Sequence, residues 1–128
     1  MRFNSLIPEL SVSNIISSKE FYLLLGFNVM YERDEDKFCF LELEGNQIMI
    51  EEENDTWNVG DMEYPFGRGI NISMSINDIE GYYNHLKSLN IKMFQELEVH
   101  EYRVDDKVYR DMEFLIQDPD GYLLRFNN

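Results

Sequence analysis

Cysteine occurs once in the 128 residues, at Cys39, tryptophan once, at Trp57, and proline three times. A single cysteine excludes an internal disulfide and any cysteine-based metal cluster. Basic residues are scarce: 11 Lys+Arg stand against 25 Asp+Glu, a formal net charge of −14. That shortage argues against nucleic acid, whose phosphates demand a basic footprint, and against an anionic membrane surface. No apolar run approaches the roughly 18 residues of a membrane-spanning helix. The opening residues Met1 to Leu10 show no apolar signal-type region. A cytoplasmic soluble protein is the expectation.

What is present is enough to build a core. Hydrophobic residues make up 44% and aromatics 14%, which separates the chain from an acidic disordered tail. The length suits a single domain, 1–128. The charge is uneven: 1–64 holds 14 acidic and 4 basic residues, net −10, and 65–128 holds 11 and 7, net −4. Much of the acidity lies in two runs, 32–36 and 51–55, each readable as a solvated hairpin tip or loop. Such a balance permits a cationic small ligand or a basic partner.

The chain contains itself twice. Leu10-Ser-Val-Ser-Asn-Ile15 matches Met74-Ser-Ile-Asn-Asp-Ile79 at a shift of 64, and Leu25-Gly26-Phe27 falls on Leu89-Asn90-Ile91 at the same shift. Ser13-Asn14 reads as the cap of a helix over about 15–25 that stops at Gly26, and Asn77-Asp78 as the cap of one over about 79–89. Strands are expected over about 27–32, 37–43 and 47–52, then over about 91–97, 112–118 and 122–127. Asp118-Pro119-Asp120-Gly121 is a turn signal between the last pair. The fold class is α+β: two tandem βαβββ modules, 1–58 and 66–128, forming cupped mixed sheets, with 53–69 as linker.

Period-two parity separates the strand faces. One parity collects Leu6, Leu10, Val12, Cys39, Leu41, Leu43, Ile48 and Ile50, then Ile72, Met74, Ile76, Met112, Phe114, Ile116, Tyr122, Leu124 and Phe126. This is the expected core on the helix side, and it makes Cys39 a buried small hydrophobe rather than a nucleophile. The other parity is mixed: Ile7, Glu9, Ser11, Phe38, Phe40, Glu42, Gln47, Met49 and Glu51 in the first module, and Asn71, Ser73, Ser75, Glu113, Leu115, Gln117, Leu123 and Arg125 in the second. Apolar groups beside a few polar ones suit a concave ligand surface. A solvated face or a subunit interface would carry a similar mixture.

These modules, with Ile7-Pro8-Glu9-Leu10, Glu20-Phe21-Tyr22, Leu25-Gly26-Phe27 and the closing Asp118-Pro-Asp-Gly-Tyr-Leu-Leu-Arg-Phe126, resemble the vicinal oxygen chelate superfamily, and within it the bleomycin resistance proteins. The resemblance covers essentially the whole chain. Catalytic members hold a divalent ion; the matching positions here are Ile7, Asn71 and Arg125, with Glu51 alone able to coordinate. His85, on the second helix, and His100, in the long hairpin, do not replace the missing ligands. No metal and no cofactor is therefore expected, and no catalytic residue is assigned; a borrowed site from Glu9, Glu51 and Glu113 is the remaining metal alternative.

The resemblance implies a non-catalytic protein that sequesters a cationic aromatic, glycopeptide-like ligand in a groove at a homodimer interface, with possible exchange of the N-terminal strand. The ligand-binding residues expected on that reading are Phe38, Phe40, Glu51, Trp57, Tyr102, Tyr109 and Glu113, with Tyr64 as a further wall. Two alternatives stand beside it. One is a metal-dependent lyase, dioxygenase or thiol transferase of the same fold; the other is an interaction module with no small-molecule pocket.

Overall fold

The computed structural model describes residues 1–128, and its contacts divide the chain into two compact units: Met1–Phe66 with Asp118–Gly121, and Gly67–Gln117 with Tyr122–Asn128. The first unit runs β1 (Glu9–Val12), α1 (Ile15–Leu24), β2 (Asn28–Arg33), a 3-10 turn (Asp34–Asp36), β3 (Phe38–Leu43) and β4 (Asn46–Glu52). The second runs β5 (Asn71–Ser75), α2 (Ile79–Ser88), β6 (Gln95–Val104), β7 (Lys107–Gln117) and β8 (Leu123–Asn127). The sheets have the same topology, β1-β4-β3-β2 and β5-β8-β7-β6. In each, the first strand pairs parallel with the last and the other pairings are antiparallel. The two expected βαβββ modules are present.

The repeat extends to the helix ends. Asn14 Oδ1 accepts from the Ser17 N–H at 3.0 Å and Asp78 Oδ1 from the Gly81 N–H at 3.1 Å, so each helix satisfies one of its orphan donors through the residue before it. At the other end of α1, Gly26 takes a left-handed φ of 103°; its N–H donates to Leu23 O and the Phe27 N–H to Tyr22 O. α2 closes identically, with Asn90 at φ 61°, its N–H on Lys87 O and the Ile91 N–H on Leu86 O. Both are Schellman closures, which need a residue that tolerates positive φ.

The helix-side parity supplies most of the core. Leu10, Val12, Cys39, Leu41, Ile48 and Ile50 are buried with Tyr22, Leu25 and Phe27 in the first unit. Met74, Ile76, Phe114, Ile116, Leu124 and Phe126 are buried with Ile79 and Leu86 in the second. Leu6 departs from expectation: it lies before β1 begins and is 84% exposed, because period-two parity applies only to paired strand. The largest departure is the β6–β7 hairpin. Its strands run on to a two-residue turn at Asp105-Asp106, with Val104 opposite Lys107, well past the strand limits expected at about 97 and 112. Backbone pairing holds this ribbon, whose residues from Glu98 to Arg110 are all exposed.

Asp118-Pro119-Asp120-Gly121 is more than the turn before β8. Asp118 and Asp120 are buried within the first unit. Tyr22 Oη donates to Asp118 Oδ2 at 2.7 Å, and Ser13 donates to Asp120 through its backbone N–H (2.9 Å) and hydroxyl (2.5 Å). Buried carboxylates survive only with such partners.

Candidate functional site

In the first unit the face opposite α1 carries an aromatic cluster. Phe40 lies opposite Tyr31, and Phe38 opposite Arg33, across β3 and β2. The Tyr31 ring sits 5.4 Å from Phe40 and 5.7 Å from Phe38, and the Arg33 guanidinium lies 4.1 Å from the centre of the Phe38 ring, a cation–π distance. Phe3 covers Phe40 at 5.2 Å and meets Tyr31 edge-on at 6.4 Å. Phe38 and Phe40 are consequently buried: they are roofed by Phe3, Tyr31 and Arg33 rather than open. Neither Tyr31 nor Phe3 stood out in the sequence. Simple alternation puts Tyr31 on the face of Val29, but a bulge between them turns Tyr31 to the side of Phe40.

The acidic runs meet. Glu35, Asp36 and Lys37 line one side of a recess of about 360 Å³, and Glu51, Glu52 and Glu53 the other. Glu51 stands opposite Phe38 in the register and accepts from Asn54 Nδ2 at 3.0 Å. Lys37 is the cation of the recess. Its ammonium lies 2.8 Å from Glu52 Oε2 and, with the Ile15 N–H, holds the Glu52 carboxyl below the usual range. A second recess, about 410 Å³, lies between Ile15, Ile16 and Lys19 of α1 and Glu32, Asp34 and Phe38. Cys39 is buried, and desolvation, followed by the Glu32 charge, pushes its thiol up to about 11. Such a thiol is inert at neutral pH. Trp57 and Tyr64 are each 63% exposed, on the segment after β4.

In the second unit, Tyr102 and Tyr109 face each other across β6 and β7 with ring centres 5.6 Å apart and planes 19° from parallel. They are 47% and 45% exposed. Along the same side of the ladder follow the pairs His100–Asp111 and Glu98–Glu113. Glu113 receives Arg125 Nε at 2.5 Å, and His100 Nε2 lies 3.3 Å from Glu113 and 3.0 Å from Glu98. The structure therefore brings Tyr102, Tyr109 and Glu113 onto one strand face. It adds His100 and Arg125, which the sequence had set aside as a hairpin residue and a failed ligand. His85 lies exposed on α2.

The matching topology of the two modules defines the glyoxalase-like, vicinal oxygen chelate fold. The chain is 33% identical, over 94% of its own length and 94% of the other, to a glyoxalase/bleomycin resistance protein/dioxygenase superfamily member from Vibrio splendidus 12B01. That superposition has a TM-score of 0.44; the fold is shown by other structures. One is the bleomycin resistance determinant encoded on transposon Tn5 (TM-score 0.68, 18% identity, 98% of each chain). Another is a glyoxalase/bleomycin resistance protein/dioxygenase from Alicyclobacillus acidocaldarius (TM-score 0.66, 21% identity, 99% of this chain and 93% of that one). No protein-family model matches the chain, and no curated protein does. The chain has the fold of solved glyoxalase/bleomycin resistance protein/dioxygenase superfamily members.

The metal of catalytic members does not fit the residues present. Ile7 has no donor atom, Asn71 is a weak one, and Arg125 is a cation already bound to Glu113. No group of three His, Cys, Asp or Glu side chains is gathered for a metal within either unit. No helix is long and apolar enough to cross a membrane.

Proposed function

We propose that the protein is a non-catalytic binding protein that sequesters a cationic aromatic small molecule of the bleomycin-type glycopeptide class, acting as a homodimer. The observation that carries this reading is the half-exposed, stacked Tyr102–Tyr109 pair on the same strand face as Glu113. Two parallel phenol rings offer a planar ligand a stacking surface, and their negative faces attract cationic groups. The chain's net charge of −14 favours a cationic ligand. The name of the structurally similar Tn5 determinant, a bleomycin resistance protein, supports the ligand class. Capture without turnover needs only affinity and copy number.

Equilibrium dialysis of the untagged protein against metal-free bleomycin, followed by mass spectrometry of the recovered ligand, tests the reading. Saturable retention with ligand recovered at its original mass supports it. Absence of retention, or recovery of a chemically altered ligand, overturns it. Light scattering in the same buffer is expected to give twice the chain mass; a strict monomer removes the homodimer from the reading.

A further inference from the structure

On the face of the first unit opposite α1, the chain binds a piece of itself. The Asn4 N–H donates to Gln47 Oε1 at 2.7 Å, while Gln47 Nε2 donates to Arg2 O at 2.7 Å. One side-chain amide thus reads the main chain on both sides of Phe3, whose ring lies on Phe40 and against Tyr31. Gln47 is 5% exposed and steadied by Glu42 Oε1 at 3.2 Å. A buried amide with donor and acceptor both satisfied by a passing peptide is a built recognition element.

We propose that Gln47, Phe40 and Tyr31 form a binding site for an aromatic group set between two amides, as in a peptide-like ligand, and that Arg2-Phe3-Asn4 occupies this site in cis. The main-chain contacts accept any backbone; the rings select the aromatic side chain. In naming the ligand's chemistry, the proposal rests on the ligand-binding reading above. Only residues 5–8 tether the segment to β1, and a short tether gives an effective concentration in the millimolar range. An outside ligand making the same contacts must therefore compete with the chain's own segment. Weakening that segment opens the site.

The test uses the full chain and the peptide acetyl-Arg-Phe-Asn-amide, followed by NMR through the Gln47 side-chain amide and the amides of β3. Phe3→Ala is expected to bind the peptide at least about tenfold more tightly than the parent, with the Gln47 resonances shifting. Adding Gln47→Leu, or Gln47→Glu, which keeps the shape and loses the donor to Arg2 O, is expected to weaken binding severalfold. Acetyl-Arg-Ala-Asn-amide is expected not to bind. No binding to folded Phe3→Ala, binding by both Gln47 variants as tight as that of Phe3→Ala alone, or equal binding of the alanine peptide overturns the proposal. Peptide binding without bleomycin binding removes the antibiotic reading alone. Bleomycin binding without peptide binding removes this assignment alone.

Discussion

Tyr22 Oη donates to Asp118 Oδ2 at 2.7 Å, joining the first helix to a tetrapeptide 96 residues further along the chain. Both residues are buried, so this bond belongs to the interior of the first unit. Tyr22→Phe keeps the ring, which packs edge-on against Phe27, and removes the donor from a buried carboxylate. The expected cost is about 1–3 kcal/mol, read as a lower urea midpoint with an unchanged slope. An unchanged midpoint contradicts the role given to the pair.

Cys39 is expected to resist alkylation in the folded protein. Its thiol is raised to about 11 by burial and the Glu32 charge, so little thiolate exists at pH 8. Iodoacetamide should modify it orders of magnitude faster in denaturant than in native buffer. The linkage sign follows: a raised thiol pKa means the folded chain keeps a proton that the unfolded chain releases. That contribution is complete below the unfolded pKa near 9 and is lost as pH rises from there towards 11. Cys39→Ser should flatten this alkaline loss.

On the acid side, the Glu52 carboxyl is held low by Lys37 and by the Ile15 N–H. A depressed carboxyl stabilises the fold above the ordinary carboxylate range, and the contribution fades as pH falls through its folded pKa. NMR titration of Glu52 should show its midpoint moving back up in Lys37→Met. A midpoint that stays in place contradicts the pairing.

The Tyr102–Tyr109 pair separates stability from binding. Its rings are half-exposed, so Tyr102→Ala should cost only about 0.5–1.5 kcal/mol, the worth of an aromatic pair. Affinity for a planar cationic ligand should fall about tenfold if one stacking surface contributes about 1.4 kcal/mol. Glu113→Gln should weaken the same ligand and reduce its salt sensitivity. A Tyr102→Ala variant that binds like the parent refutes the stacking role.

The fold was legible because its signals are local and repeated. Caps at Asn14 and Asp78, positive-φ stops at Gly26 and Asn90, and alternating apolar strands each follow from residues close in sequence. The features without a local signal depend on distant partners or broken periodicity. Nothing near Asp118 shows that Tyr22 and Ser13 will bind its tetrapeptide. The bulge before Tyr31 reverses its face, and the segment at Phe3 covers rings that parity alone leaves open. The expected strand limits at about 97 and 112 fall short of the β6–β7 ribbon because neither of its faces is buried beyond them, and burial is what alternation reports. Of the expected site residues, Tyr102, Tyr109 and Glu113 share a face, Phe38 and Phe40 are covered, Glu51 lines an acidic recess, and Trp57 stands exposed.

Isothermal titration of the parent protein with metal-free bleomycin at low and high salt measures the sequestration itself. Saturable binding near one ligand per chain is expected, with affinity falling as salt screens the acidic surface. Absence of binding up to millimolar ligand, or binding indifferent to salt, would contradict it.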